Sequence, residues 1–336
     1  MNKYTLNGKL HAPYQEDGVK WMLAMENQKT GPRGGFLCDE MGLGKTIQII
    51  ATVLHNPKPL TLVVAPKTIV TQWSIEIAKF APGLSVLVYD GPDRTKDIND
   101  FTKADIVICP YSMLYSKTTL IHHVKWSRVV LDEAHEIRNR QTRTFKGAIK
   151  LKSEIHWAVT GTPVFNSMED FVSLCMFIGF SKSTVQAMHK DIKDIYILRR
   201  TKADGILEIP YCHFENIELD MYEEEKILYE EAFLGAQERI RDIMRSSISQ
   251  VSRNMHILEC LLRVRQVMIW PQLYLDGVAK KEECERTVWQ TSSNKMDTLY
   301  RYVNMHPDEK TAVFCPYQGE LDEVCRSRAG QQGRRD

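Results

Sequence analysis

The sequence predicts an α/β protein built on a doubly wound parallel sheet. Short β-rich runs recur through residues 1–200, each followed by a polar turn and usually by a helix-like stretch. Several runs are continuously apolar rather than alternating, as expected of strands buried on both faces of a parallel sheet. Strands that alternate with helices favour a doubly wound domain with its ligands at the carboxyl ends of the strands. The predicted strands are Gly35–Cys38, Thr61–Ala65, Val86–Tyr89, Ile106–Cys109, Arg128–Asp132 and Trp157–Thr160.

Composition sets the class of protein. The 336 residues are 43% hydrophobic and carry 44 Lys+Arg against 43 Asp+Glu, a formal net charge of +1. This balance is typical of a globular protein with about two domains, and not of a disordered tail or a fibre. It also argues against a binder that works by bulk positive charge, while a local nucleic-acid groove stays open.

Targeting and redox signals predict an intracellular protein. No apolar stretch is long enough to span a bilayer, and the first ten residues are polar, without a signal-peptide core. None of the eight cysteines forms a Cys-x-x-Cys pair, which argues against a zinc finger and favours a reducing compartment. We therefore expect no membrane partner. The nucleus is expected for a eukaryotic source, and the cytoplasm or a viral factory for a bacterial or viral one.

The character of the sequence changes after about Tyr211. Residues Phe214–Leu219 could form one more strand, and residues 221–270 have a helical apolar pattern. The first predicted helix there is acidic and basic residues follow it. Solvated helix faces explain the acidic run, while DNA contact stays open for the basic set. A last strand is predicted at Thr311–Cys315, and residues 325–336 lack apolar periodicity, which predicts disorder.

A glycine-rich loop follows the first predicted strand, in the segment Asp39–Thr46. Gly42 and Gly44 allow backbone amides to curl around a phosphate. Lys45 can contact the β- and γ-phosphates, and the Thr46 hydroxyl can ligate Mg²⁺ at the start of a helix predicted over residues 47–54. The general phosphate-loop pattern has a small residue where Asp39 stands. A chance glycine-rich turn is the alternative, against which the strand–loop–helix context argues.

An acidic pair ends another predicted strand, in the segment Leu131–His135. Asp132 can hold Mg²⁺ directly or through water, and Glu133 is placed to polarise an attacking water. His135 could couple the nucleotide to a neighbouring element. An isolated Asp-Glu pair is most often surface charge, so this hypothesis depends on its pairing with the glycine-rich loop.

Two further segments add weight only in combination. The segment Val159–Pro163 also ends a strand, although a plain β-turn would use the same residue types. Gln15 stands ahead of the phosphate loop, and its amide offers the donor and acceptor needed to read adenine. Taken alone, Gln15 would be interpreted as a surface glutamine.

In this order and spacing, the four motifs resemble the Swi/Snf-type, chromatin-remodeller-like DNA translocases of helicase superfamily two. Other segments are similar to later motifs of that family, and the resemblance covers about residues 6–324. These segments are Val64–Thr68 with Trp73, Tyr111–Leu114, Thr162–Ser167, Leu198–Lys202, Leu261–Gln266, Ser292–Met296 and Thr311–Tyr317.

The resemblance implies a particular domain organisation. Residues 1–205 would be a RecA-like, P-loop NTPase lobe that binds ATP, and residues 206–305 a helical connector between lobes. Residues 306–324 would begin a second RecA-like lobe, followed by the basic tail. The implied partner is double-stranded DNA, held by sequence-independent contacts to its backbone. The implied cofactors are ATP and Mg²⁺.

The resemblance also assigns roles to residues. Lys45, Asp132 and Glu133 would be catalytic, with Thr46 and Asp132 at the nucleotide-bound Mg²⁺. The ATP-binding set would be Gln15, Asp39, Glu40, Met41, Gly42, Leu43, Gly44, Lys45 and Thr46. Coupling of ATP to movement would involve His135, Thr160, Gly161 and Thr162. The expected DNA contacts are Lys67, Thr68 and Ser112, each of which could otherwise be an ordinary capping residue.

Two classes of function stay open at this stage. The later motifs of the family's second lobe, including its trans-cleft arginines, are missing from these residues. Arginines of that kind contribute several orders of magnitude to turnover. We therefore expect weak Mg·ATP binding and little or no hydrolysis by this chain, unless another chain supplies the second lobe. The alternative is a non-enzymatic nucleotide- or DNA-binding module. The acidic segment Leu131–His135 followed by the segment Val159–Pro163 fits neither a GTPase nor a kinase.

Overall fold

The computed structural model describes residues 3–11, 13–161, 167–204 and 212–332. The chain divides into two compact units, Met1–Tyr211 and Cys212–Asp336. The described part contains no single helix with the length and apolar character of a membrane span. Two consecutive helices, Met168–Ile178 and Lys182–Tyr196, would together be long and apolar enough, but they are bent by 98° relative to each other.

The first unit contains a seven-stranded sheet in which every pairing is parallel. Its strand order is β3-β4-β2-β5-β6-β1-β7. All six predicted strands are present, and the α/β prediction is confirmed. The strands are β1 (Arg33–Leu37), β2 (Thr61–Ala65), β3 (Val86–Val88), β4 (Ile106–Pro110), β5 (Lys125–Asp132), β6 (Lys152–Val159) and β7 (Ile197–Leu198).

Strands β2 and β4 are apolar apart from Thr61 because helices flank the sheet. Every residue of β2 and β4 is buried, as the continuous apolar runs predicted. The short edge strand β7 was not predicted, since two residues carry no periodicity. The flanking helices are α1 (Tyr14–Asn27), α2 (Lys45–His55), α3 (Val70–Phe80), α4 (Asn99–Thr102), α5 (Arg143–Ala148), α6 (Met168–Ile178) and α7 (Lys182–Tyr196).

The second unit is helical wherever the structure assigns regular elements. Its helices are α8 (Glu223–Arg245), α9 (Gln250–Ile269), α10 (Pro271–Glu282), α11 (Asn294–Met305) and α12 (Gln318–Gln332). The strands predicted at Phe214–Leu219 and Thr311–Cys315 are absent, so both predictions are wrong. Phe214 is 87% exposed and Phe314 is 93% exposed. Neither segment pairs with another strand, and β-rich composition without a pairing partner and a buried face does not produce a strand.

The C-terminal region also differs from its prediction. Helix α12 continues to Gln332, whereas the sequence predicted disorder from residue 325. Residues 325–332 lack an apolar stripe, but they contain Arg, Ala and Gln, which have high intrinsic helix propensity. Absence of amphipathicity was therefore a poor guide to its local structure. Residues 333–336 lie outside the described residues.

Candidate nucleotide site

The sheet order brings the predicted motifs to one edge. Because all strands are parallel, the segments that follow β1, β5, β6 and β7 leave the sheet on the same side. Strand β1 pairs with β6 and β7, and β6 pairs in turn with β5. The glycine-rich loop after β1 and the acidic pair after β5 therefore face each other across the end of β6.

The glycine-rich loop has the backbone of an anion cradle. Gly42 and Gly44 adopt positive φ angles of 91° and 74°, which other residues adopt at a cost. Gly44 is the N-cap of α2, and no side chain caps the amides of that helix. A Cβ at Gly44 would lie 2.4 Å from the Gln15 Nε2 atom. The loop therefore needs glycine here both for its conformation and for its contact with Gln15.

Gln15 is buried and joins two segments of the site. Its Nε2 donates to the Leu43 carbonyl at 3.2 Å, and its Oε1 accepts from the His11 amide at 2.9 Å. The interpretation of Gln15 as a surface glutamine is thus wrong, since only 3% of it is exposed. Its side chain ties the segment before α1 to the phosphate loop.

Asp39 explains the departure from the general phosphate-loop pattern. Its carboxylate is fully buried and forms an ion pair with Arg200, whose Nε donates to Asp39 Oδ1 at 3.0 Å. Gln48 donates to the other carboxylate oxygen at 3.1 Å. The Arg200 guanidinium also donates to the Tyr14 carbonyl and lies over the Tyr14 ring. The Asp39 side chain, predicted to bind ATP, is therefore occupied in anchoring the chain after β7 to the loop.

The other loop residues divide by side-chain direction. Leu43 is fully buried, so only its backbone can face a ligand, whereas the Met41 side chain is 53% exposed. Glu40 accepts from the Lys202 amide at 2.7 Å. A Cβ at Gly42 would lie 3.5 Å from Lys202 Nζ, which places a second cation beside the loop. Lys202 was missed as a candidate, although it lies in a segment that the sequence singled out.

Lys45 lies between the loop and the end of β6. Its Nζ donates to the Asp39 carbonyl at 2.9 Å. A Cβ at Gly161 would lie 3.2 Å from the same Nζ. Thr160 is 2% exposed, and its amide donates to the Leu37 carbonyl at 3.2 Å. Gly161 thus lies against the phosphate loop, whereas the Thr160 amide bonds to the last residue of β1. Thr162 lies outside the described residues, and the coupling role of all three stays a prediction.

The acidic pair is held tightly at the end of β5. Asp132 is 8% exposed, and its Oδ2 accepts from the Trp73 indole at 2.7 Å while its Oδ1 accepts from the Glu133 amide at 3.0 Å. Burial raises the Asp132 pKa, although the Trp73 hydrogen bond opposes that shift. Glu133 has a left-handed backbone, with φ 51° and ψ 52°. Such a backbone is uncommon for a non-glycine residue and is typical of functional sites.

The Glu133 side chain has properties suited to a general base. Burial and the Asp132 charge raise its pKa, and a carboxylate with a raised pKa is a stronger base. Its Oε2 lies 3.3 Å from His135 Nδ1. Neither atom has a hydrogen-bond partner within the described ranges. Glu133 and His135, for which the sequence predicted no pairing, therefore lie side by side at the end of β5.

A cavity of about 630 Å³ connects these groups. It is lined by predicted residues that include Gln15, Lys45, Thr46, Asp132 and Glu133. It also reaches residues that the sequence reasoning missed, namely Lys9, His11, Tyr14, Ile47, Gln72, Glu76 and Phe80. The last three stand four residues apart on α3 and share one helix face, a spacing that could have been found in the sequence.

The oxygen donors of the cavity fit a magnesium ion that arrives with a nucleotide. Thr46, Asp132 and Glu133 line the cavity with a hydroxyl and two carboxylates, and Mg²⁺ prefers oxygen ligands. The described residues contain no group of three His, Cys, Asp or Glu that could hold a metal alone. This suits an ion bound through one or two protein oxygens together with phosphates, which is usual for Mg²⁺.

The residues predicted to face DNA lie just after two neighbouring strands, β2 and β4. Lys67 and Thr68 form a 3₁₀ turn after β2, where both are exposed. Ser112 follows β4 and is half-buried. Strand β2 pairs with β4 on one side and with β5 on the other. The three residues therefore share the carboxyl edge of the sheet with Asp132.

A RecA-like lobe with a phosphate loop after β1 and an acidic pair after β5 defines the class of P-loop nucleotide-binding proteins. The family model for the SNF2-related domain matches residues 14–273, and the chain belongs to this family. Within the family it represents the N-terminal lobe and the residues that follow it.

Individual relatives agree with this assignment. The Bacillus subtilis protein YwqA is 32% identical over 304 residues, which cover 81% of this chain and 32% of YwqA. Helicase SWR1 of Candida glabrata is 28% identical, over 92% of this chain and 24% of SWR1. The Sulfolobus solfataricus SWI2/SNF2 ATPase core in complex with dsDNA is 29% identical, with a TM-score of 0.56 over 95% of this chain and 69% of that one. This chain thus spans about a third or less of these two curated relatives.

Proposed function

We propose that this chain is the ATP-binding part of an intracellular, double-stranded-DNA-dependent ATPase that moves along DNA and remodels DNA–protein complexes. The observation that supports this function best is a single cavity that joins the phosphate loop to the acidic pair. One strand away, exposed polar residues are available to contact a duplex backbone. The solved Sulfolobus relative is a complex with dsDNA, which favours the same partner here.

Each residue then has a defined task. The amides of the glycine-rich loop and the Lys45 ammonium bind the phosphates of ATP, and Gln15 would read the base. Thr46 and Asp132 would hold Mg²⁺, which supplies charge neutralisation when bound. Glu133 orients and polarises the attacking water as general base. His135, Thr160, Gly161 and Thr162 would couple the reaction to movement.

Duplex binding is expected to depend steeply on salt. Lys67→Ala should weaken binding similarly for unrelated sequences and reduce the slope of log K against log salt by about one, because one phosphate contact is lost. Fluorescence anisotropy with a labelled duplex at several salt concentrations measures this slope. The matched control is Lys58→Ala, an exposed lysine just before β2, at the opposite end of that strand. An unchanged slope for Lys67→Ala would remove this residue from the interface.

The alternative is a nucleotide- or DNA-binding module without turnover. Phosphate release measured with and without duplex DNA separates the two functions, with Lys45→Ala as the control for contaminating activity. DNA-stimulated release that is lost in Lys45→Ala would establish an enzyme and contradict the expectation of little hydrolysis. Binding of both ligands without release above the control would support the module.

A further inference from the structure

Two aromatic side chains link the DNA-facing segments to Asp132. Trp73 lies in the first turns of α3, directly after the turn that contains Lys67 and Thr68, and its indole donates to Asp132 Oδ2 at 2.7 Å. Tyr111 immediately precedes Ser112, and its hydroxyl donates to the Asp132 carbonyl at 2.8 Å. Two separate segments thus converge on one residue.

We propose that Trp73 and Tyr111 are positioning residues that transmit duplex binding at the ends of β2 and β4 to the Mg²⁺ carboxylate of Asp132. This inference rests on the proposed function, because it assumes that the two segments contact DNA. It identifies the structural link through which the two ligands sense each other.

Burial makes the Trp73 contact hard to replace. Trp73 is 2% exposed and Asp132 is 8% exposed, so water has little access to either group. An indole N–H is a donor with one hydrogen, and leaving it unpaired in the interior costs the full desolvation penalty of that group. A shift of α3 therefore costs less free energy if the Asp132 carboxylate moves with the indole and keeps the hydrogen bond. Displacement of the helix by a bound duplex would reorient the carboxylate.

Tyr111 holds the other end of the same residue. The side chain is 7% exposed, and the residue begins the 3₁₀ segment Tyr111–Tyr115 after β4. Its hydroxyl donates to the main-chain carbonyl of Asp132, while the Trp73 indole donates to the side-chain carboxylate. Strand β2 lies between β4 and β5, which puts both contacts at adjacent strand ends. The backbone position and the carboxylate direction of Asp132 are thus set from two DNA-facing segments.

The partner of Trp73 distinguishes it from an indole that only fills the core. Trp126 is also buried, and its indole donates to the main-chain carbonyl of Ile121 at 2.9 Å. That bond involves no group of the nucleotide site. Trp73 instead uses the carboxylate that would hold Mg²⁺, and hydrogen bonds to a metal-ligating carboxylate tune how it binds its ion.

The test measures thermodynamic coupling in the full 336-residue chain. The Kd for Mg·ATP is determined by titration at saturating Mg²⁺, with and without a short duplex of arbitrary sequence. For the unsubstituted chain we expect the two values to differ by about fivefold or more, the lower end of ordinary coupling between sites. The duplex Kd must change by the same factor when Mg·ATP is added, which provides an internal check.

The ratio of the Mg·ATP Kd without duplex to that with duplex measures the coupling. Trp73→Phe should bring this ratio to about one while both ligands still bind. The Mg·ATP affinity without DNA can fall by about tenfold, because the carboxylate loses a donor, but the ratio is independent of that loss. Tyr111→Phe removes a single hydroxyl and should also reduce the ratio. It serves as the second variant if Trp73→Phe does not fold. The matched control Trp126→Phe loses a buried indole on β5 that does not contact Asp132, and it should keep the unsubstituted ratio.

The outcomes separate this inference from the proposed function. If the unsubstituted chain fails to bind Mg·ATP or the duplex, the proposed function is overturned and the inference falls with it. If both ligands bind but the ratio is one, or if it persists in Trp73→Phe and Tyr111→Phe, the inference alone is overturned. A ratio lost in Trp126→Phe as well would assign the effect to general packing and would equally overturn it.

Discussion

Lys45→Ala is expected to weaken Mg·ATP binding by about 10- to 100-fold. The substitution removes a charge-assisted hydrogen bond to phosphate, a class of bond that contributes about 1.5–3 kcal/mol. The ammonium is ready for this task, since it lies at the loop and donates to the Asp39 carbonyl at 2.9 Å. Titration of a fluorescent ATP analogue with the purified variant measures the change in Kd.

The control for this effect is Lys152→Ala. Lys152 is the first residue of β6 and is exposed, so it lies at the opposite edge of the same sheet from Lys45. It removes an equal charge without touching the cavity. If Lys45→Ala bound Mg·ATP as tightly as Lys152→Ala, the assignment of the glycine-rich loop as the phosphate site would be wrong.

The second large effect concerns stability. Arg128→Met is expected to lower the free energy of unfolding of the first unit by about 3–5 kcal/mol. Arg128 and Glu26 form a buried ion pair, in which Arg128 is 1% exposed and Glu26 is 2% exposed. The guanidinium donates to both carboxylate oxygens, at 2.6 Å each. The single substitution leaves a buried carboxylate without a countercharge.

Other contacts of this pair increase the expected loss. Glu26 also accepts from the Trp157 indole at 2.9 Å and from the Asn56 side chain at 2.7 Å, while Arg128 donates to the Asn56 carbonyl. Replacing Glu26 by Leu together with Arg128→Met should recover only part of the stability. The reason is that the Trp157 and Asn56 donors then lose their acceptor.

Urea unfolding followed by tryptophan fluorescence measures this prediction. The control is Lys103→Met, which breaks the exposed pair of Lys103 and Asp100. Water screens the charges of an exposed pair, so that variant should unfold near the unsubstituted protein. A loss for Arg128→Met no larger than that for Lys103→Met would show that the buried pair contributes little to holding α1 against the sheet.

Local pattern was sufficient for most of the first unit. Strand β2 has the predicted bounds, and β4 differs by one residue, because both are buried on each face and need no alternation. The same reasoning failed at Phe214–Leu219 and Thr311–Cys315. A β-rich segment becomes a strand only when another strand supplies hydrogen bonds, and sequence composition does not say whether that partner exists.

The candidate site was predictable in part. Strand-terminal positions identified Lys45, Thr46, Asp132 and Glu133, and the structure brings them to one cavity. The role of Asp39 was not predictable from the loop alone. Its partner Arg200 lies far along the chain, after β7, and the contact exists only because β7 pairs with β1.

Residue types and spacing alone indicate the candidate chemistry. They predict which residues would hold phosphate, Mg²⁺ and a reacting water, and in which order the strands present them. Residue types and spacing are local properties, and parallel strands necessarily deliver their ends to one edge. The long-range partners of those residues are visible only in the folded chain. There Asp39 forms an ion pair with Arg200, and Trp73 and Tyr111 donate hydrogen bonds to Asp132. Such pairings follow from strand order and helix packing, which no local spacing encodes.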